Sequence, residues 1–299
     1  MLDYRSHTFL EVHRARSFSR AAKALHITQP AVSQHIRHLE QYYGTVLFAK
    51  TTRGANPTPA GDHLYRALST MANDEERLRA ELRAMASETA PAPLRLGCTR
   101  TVADYVAPSL LAVRATTQPA EPVNMHVGNT AELVQLMDTG DIDCALVEGS
   151  FDHVRFDSMV YSTEDYIAVA SPKAVTSPKA AAGTSPRSIH DLVGERLILR
   201  EPGSGTREIL ERSLAAHDLA LADFAGTLEL ASIPAIIACV AAGAGITFLY
   251  RIAVEQELAA GALIDITPAD FAIRHDFTLI WQRGSAYAAR YRALIAVTK

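Results

Sequence analysis

SFSRAAKALHITQPAVSQHIRHLEQYYG, running from Ser17 to Gly44, decides how the rest of the chain is read. Ser17 can cap a first helix whose inward side is Phe18, Ala21, Ala22 and Leu25, the two alanines being small enough for close helix contact. His26 and Ile27 make the turn. Thr28 caps a second helix, and Pro30 falls in its first turn, where a missing N–H costs little. Val32, Ile36, Leu39 and Tyr43 then recur at spacings of 4, 3 and 4, which predicts one buried stripe, and Gly44 supplies the stop. The other face holds Gln29, Ser33, Gln34 and Arg37, side chains able to bond base edges and phosphates, where a core helix more often carries Glu and Lys. The pattern alone reads either as an ordinary helical hairpin or as a DNA-reading helix-turn-helix.

Charge separates the two ends of the chain. Residues 1–66 hold 9 Lys and Arg against 4 Asp and Glu, a net of +5, whereas the remainder holds 20 against 29, a net of −9. A basic head on an acidic body is what local phosphate binding requires, and it predicts salt-sensitive affinity. At 299 residues and 48% hydrophobic content the chain can build two or three compact units. No run approaches a membrane span, and MLDYRSHTFLEVHRARSF lacks a secretory apolar core, so a cytoplasmic protein with no membrane partner is expected. Cys98, Cys144 and Cys239 are widely spaced, which indicates reduced thiols rather than a disulfide framework or zinc site. His35 and His38 share a helix without a third ligand nearby, and no metal site or cofactor is expected.

Beyond the head, Leu64, Leu68, Met71, Glu75, Leu78, Leu82 and Met85 follow a 4-3-4-3-4-3 spacing between Thr58 and Ser87, six of the seven being apolar. This predicts a coiled-coil seam through which two copies pair, with Glu75 as its weak point. Asp74, Glu76, Arg77, Arg79, Glu81 and Arg83 leave the other faces charged and, on this reading, solvated. Thr89-Ala-Pro-Ala-Pro93 reads as a hinge. Strands then alternate with helices: LRLG at Leu94, a helix from Tyr105 to Arg114, VNMHVG at Val123, a helix from Thr130 to Asp138, and CALVEG at Cys144. A second round runs through RLILRE at Arg196, a helix from Thr206 to His217, TLELAS at Thr227, a helix from Ile233 to Ala242, and GITFLY at Gly245 with another helix after it. The Ala-, Pro-, Ser- and Lys-rich stretch from Ser171 to Ser188 reads as a loop, and HDFTLIWQ at His275 as a strand returning to the first lobe. Such alternation predicts parallel α/β layers with right-handed crossovers.

The run A-A-x-x-L-x-x-[ST]-Q-P-A-V-S-x-x-I-x-x-L-E-x-x-x-G-x-x-L-F, filled by Ala21 through Phe48, resembles the N-terminal signature of LysR-type transcriptional regulators, and the likeness continues through Arg53 and Thr58-Pro59-Ala60-Gly61. Lys50 and Arg16 depart from it, the family usually having Arg and often Gly at those places. The resemblance implies a winged helix-turn-helix over residues 1–58, a linker and dimerisation helix over 59–88, a hinge at 89–93, and a two-lobed, type 2 periplasmic-binding-like effector domain over 94–299. Lobe I is expected at about 94–168 and 270–299, lobe II at about 169–269. It further implies that Gln29, Pro30 and Ser33 approach base edges, with Gln34 and Arg37 at the backbone, Ser19 and Lys50 also in contact with DNA, Lys50 to Pro57 as the wing, and Arg53 at the minor groove. Its implied partners are double-stranded DNA, a second copy in a homodimer or homotetramer, and RNA polymerase.

In open α/β sheets a ligand lies beyond the carboxyl ends of the strands. Three loops meet that condition: Cys98-Thr99-Arg100-Thr101, Gly128-Asn129-Thr130, and Glu201-Pro202-Gly203-Ser204-Gly205-Thr206-Arg207. The third is similar to a loop in a branch of the family containing Calvin-cycle and sulfur-metabolism regulators. A small anionic effector is expected against Thr99, Arg100, Thr101, Asn129, Thr130, Gly203, Ser204, Gly205 and Thr206, with Glu148 either bonding a ligand hydroxyl or ammonium or closing an inter-lobe salt bridge. The plainer reading has Thr99 and Thr101 merely capping a helix and the glycines making a tight turn. Cys98 reads as packing, with oxidant sensing as the alternative. A cleft enzyme or a ligand-binding scaffold is the rival class. The chain shows no G-x-S-x-G, no H-E-x-x-H and no cofactor fingerprint, so no enzyme is expected.

Overall fold

The structure is a computed structural model describing residues 2–49, 54–87, 91–173 and 186–296. Lys50 and Arg53 in the expected wing, Thr89 and Ala90 in the expected hinge, and most of the Ser171–Ser188 loop lie outside the described residues.

Three helices, α1 (Tyr4–Ala15), α2 (Phe18–Ala24) and α3 (Gln29–Tyr43), pack with a two-strand antiparallel ladder, β1 (Phe48–Ala49) and β2 (Asn56–Pro57). Ser17 Oγ accepts from the Arg20 amide and Thr28 Oγ1 from the Ala31 amide, so both expected caps form. Phe9, Val12, Ala21, Val32, Ile36, Leu39 and Leu47 make the core of this head. Tyr43, expected on the buried stripe, is half exposed, because the last turn of α3 runs past the core and faces a groove beside the next helix. Arg16 ends α1 with φ 51° and ψ 29°, a left-handed conformation that glycine adopts without strain.

Helix α4 (Pro59–Ala86) is capped by Thr58 and starts so close to the ladder that a Cβ on Gly61 would lie 2.2 Å from the Leu47 carbonyl oxygen. The expected seam is free along only part of α4. Leu68 is buried in the head's own core and Leu64 packs against it, since the first turns of α4 cover the three-helix unit. Met71, Leu78, Leu82 and Met85 are exposed. Glu75, the expected weak point, accepts the Leu2 amide and pairs with Arg79. The face expected to be solvated is the one that docks. Asp74 accepts from Ser285 Oγ and the Ala286 amide, each at 2.7 Å, and Glu81 binds Arg290 at 2.6 Å and the Tyr287 hydroxyl at 2.9 Å. Arg77, 3% exposed, pairs with Asp143 beneath the Tyr287 ring.

The rest alternates as predicted: β3 (Leu94–Cys98), α5 (Arg100–Tyr105), α6 (Ala107–Thr117), β4 (Val123–Val127), α7 (Thr130–Thr139), β5 (Cys144–Val147), β6 (Phe156–Ala170), β7 (Arg196–Leu199), α8 (Gly205–Ala216), β8 (Gly226–Glu229), α9 (Ile233–Ala241), β9 (Ile246–Tyr250), α10 (Glu255–Ala259), β10 (Ile264–Asp265), β11 (Ile273–Gln282) and α11 (Ala288–Ala296). The helix expected over Tyr105 to Arg114 is instead two, broken at Val106 ahead of Pro108. Nine strands form one sheet in the order β4-β3-β5-β11-β6-β9-β7-β8, with β10 on β6. Each end is parallel, β3 with β4 and β5, β7 with β8 and β9, while β6 and β11 run antiparallel between them. The fifteen-residue β6 pairs with β11 along its first part and with β9 along its last, so it belongs to both lobes. One core therefore runs unbroken from Leu94 through Tyr166, Phe277 and Phe248 to Leu197. Smaller cores lie under α7, around Leu133 and Ile280, and under α9, around Ile198 and Ile236.

Candidate functional site

On the head, α3 turns its buried stripe onto α1 and α2, so its opposite face points away from the protein. Gln29, Pro30, Gln34 and Arg37 are exposed, as is Ser19 on α2, and Ser33 is half-buried with its hydroxyl accepting from Gln29 Nε2 at 3.1 Å. These side chains present donors and acceptors at the free surface of a basic unit.

The second site is a cavity of about 250 Å³ where the carboxyl ends of β3, β4 and β5 face the start of α8. Thr99, Arg100, Asn129, Thr130, Glu148, Gly203, Ser204 and Gly205 line it, together with Gly128, Glu201 and Pro202 of the expected loops and with Glu132 and Arg200, which lie outside them. Thr101 and Thr206 stand one layer behind its wall. Thr101 lies beside Glu148, and Thr206 bonds the Ser204 hydroxyl and, through its carbonyl, the Tyr166 hydroxyl. Gly203 takes φ +84°, the left-handed turn that swings the chain from β7 into α8.

The polar atoms are distributed unevenly around this space. Arg200 gives Nε and Nη2 to Glu201, at 2.7 and 2.8 Å; burial raises the Glu201 carboxyl, but these bonds, a backbone hydrogen bond and the Arg200 and Arg100 charges together hold it below its ordinary range. Asn129 and Glu132 form a reciprocal capping box on α7. Thr99 caps nothing, and its Oγ1 is buried without a partner, as are Arg200 Nη1 and Glu148 Oε2. Burial pushes the Glu148 carboxyl up to about 7, against the opposing pull of the Thr101 hydroxyl and the Arg200 charge. Arg100 is exposed at the rim, its Nε 3.9 Å from Glu201. Just behind the wall, burial raises the Cys98 thiol to about 12, which keeps it protonated and suits the packing role.

Helix α7 joins the two sites. Its first turn lines the cavity, and its last turn ends on α1 and α4. Asn73 Nδ2 donates to the Met137 carbonyl at 2.8 Å and Ser69 Oγ to that of Asp138 at 3.2 Å. Arg14 Nη2, from the head, donates to the same Asp138 carbonyl at 2.9 Å, and Arg95 Nη1 to the Gly140 carbonyl at 2.5 Å. Those carbonyls are acceptors that a helix C-terminus leaves free, at its negative end.

Residues 5–62 match the bacterial regulatory helix-turn-helix protein family of the lysR type, and residues 87–299 match the LysR substrate binding domain. The transcriptional regulator CbbR of Sinorhizobium medicae is 31% identical over 268 residues, covering 89% of this chain and 82% of its own. The full-length regulator LysG of Corynebacterium glutamicum, solved with bound effector Arg, superposes with a TM-score of 0.67 at 20% identity, over 99% of this chain and 98% of that one. The regulatory domain of CcmR from Synechocystis, solved in complex with 2-PG, gives 0.60 at 26% identity, over 69% of this chain and 97% of that domain. Among the described residues no helix is long and apolar enough to cross a membrane.

Proposed function

The chain belongs to the LysR family of bacterial transcriptional regulators, joining a helix-turn-helix head to an effector-binding domain, and from that premise we propose how the two are connected: a small acid bound in the cavity lined by Thr99, Arg200 and Ser204 shifts α7, and α7 carries the shift to the head. The observation that supports this reading is the placement of α7, with one end in the cavity wall and the other bonded to Arg14, Ser69 and Asn73. A ligand need only prefer one lobe arrangement by about 1–3 kcal/mol to act as a switch. The relatives solved with Arg and with 2-PG lend support to an acid-bearing effector. Contacts to DNA fall to Ser19, Gln29, Pro30, Ser33, Gln34 and Arg37, and to Lys50 and Arg53 outside the described residues.

Pairing of two copies through Met71, Leu78, Leu82 and Met85 places two heads on one duplex and favours a pseudo-palindromic site. The division at 58, 88 and 93, a homotetramer built from dimers, a cytoplasmic location, contact with RNA polymerase and the absence of an enzymatic activity complete the proposal. A gel shift with DNA from upstream of its own gene, at two salt concentrations, tests it. Affinity falls steeply with salt, with a slope of about −0.9 per phosphate neutralised, and Arg37→Ala flattens the slope by about one. Salt-independent binding, or a footprint unchanged in Ser33→Ala and Arg37→Ala proteins that remain folded, overturns the DNA assignment.

A further inference from the structure

Taking the cavity as the effector site, we infer that its ligand is a small acid that also carries a hydrogen-bond donor, a hydroxyl or an ammonium group, and that Glu148 selects for that donor. Three side chains that line the cavity each carry a buried polar atom without a hydrogen-bond partner, and these atoms do not ask for the same thing. Arg200 Nη1 can only donate, Thr99 Oγ1 can do either, and Glu148 Oε2 accepts when the carboxyl is ionised. A buried polar atom left unmatched is costly, which makes each a requirement on the ligand.

The charges lining the space sharpen the point. Arg100 and Arg200 stand against Glu132, Glu148 and Glu201. Glu201 is bound to Arg200 and Glu132 to the Asn129 amide, so Glu148, with only the Thr101 hydroxyl beside it and the Arg200 charge near, is the carboxylate left to face a ligand. It projects from the end of β5 to the head of α8, where a Cβ on Gly205 would lie 3.6 Å from its Oε1. A donorless anion satisfies Arg200 and Thr99 but sets like charges side by side at Glu148. An acid with a hydroxyl or ammonium satisfies all three walls. A space of about 250 Å³ holds on the order of eight waters, so it admits a compact hydroxy or amino acid.

Matched pairs differing only in one donor group test this on the full-length protein by calorimetry at pH 8, where Glu148 is ionised: glycolate or glycine against acetate, lactate or alanine against propionate. The donor-bearing member binds about tenfold tighter, and Glu148→Leu reduces that ratio to about one. Glu148→Gln keeps a carbonyl acceptor and so retains preference for the hydroxy acids, while preference for the amino acids falls. Equal binding within every pair, or a preference that survives Glu148→Leu, overturns the selectivity and leaves the cavity assignment standing. Failure of every acid to bind, donor-bearing or not, overturns both.

Discussion

Asp143 is the keystone between linker and effector domain, and replacing it with Asn isolates one buried charge. Its side chain, 3% exposed, takes bonds from Arg77, from Arg95 Nη2 at 2.6 Å and from the Arg95 amide at 2.8 Å. Burial alone would raise its carboxyl, yet Arg95 and Arg77 together hold it below the ordinary range. Asp143→Asn leaves Arg77, itself 3% exposed, with Glu81 at 3.5 Å as its remaining ionic partner and with Nε and Nη2 lacking hydrogen bonds. Stranding one member of a buried pair costs about 3–5 kcal/mol, and the surviving Glu81 contact puts this case near the lower figure. In urea the effector-domain midpoint falls by roughly 1 M. The double variant Arg77→Met, Asp143→Leu recovers most of that loss, because two apolar side chains replace a pair whose desolvation was itself expensive. The difference between wild type and Asp143→Asn stays level from neutral pH to about pH 5. It then shrinks below about pH 4, since a carboxyl held low in the folded state stabilises above its unfolded value and ceases to do so as it protonates. A loss under about 1 kcal/mol for Asp143→Asn, with Arg77→Met costing the same whether residue 143 is Asp or Leu, refutes the pairing as a source of stability.

Gly61→Ala drives a methyl into the Leu47 carbonyl 2.2 Å away and destabilises the head by about 2–3 kcal/mol, read as a lower melting temperature of the DNA-binding unit; an unchanged melting curve contradicts the close approach. Arg16→Gly relieves a left-handed arginine and raises the stability of the same unit by about 0.5–1 kcal/mol, while the loss of one positive charge weakens DNA binding slightly. Cys98 resists alkylation in the folded protein and reacts on unfolding; rapid labelling of the native chain contradicts its burial.

Local signals carried far in this chain. Ser17, Thr28 and Thr58 announce their helices because a cap is written in one or two residues, and the strands LRLG, CALV and RLIL are apolar runs of the right length. The α4 face misled for the opposite reason. Asp74, Arg77 and Glu81 look like solvated charges along the chain, and only partners more than sixty residues away, such as Asp143 and Arg290, make them an interface. Strand β6 was missed because it serves two lobes, with exposed polar positions in its first part and a continuous apolar run in its last. In the cavity the three loops were legible from their place after strands. Arg200 was not, since an arginine inside RLILRE shows neither its burial nor the free Nη1 that its bonds to Glu201 leave over.

The junction at the end of α7 has an evolutionary consequence. Arg14, Ser69 and Asn73 take hold of main-chain oxygens, which every residue type provides alike. Side chains along the end of α7 can therefore vary in descendants of this chain without loss of the bonds that Arg14, Ser69 and Asn73 make. The rest of the docking is of the other kind, since Asp143, Ser285 and Arg290 hold α4 through particular side chains that cannot drift so freely.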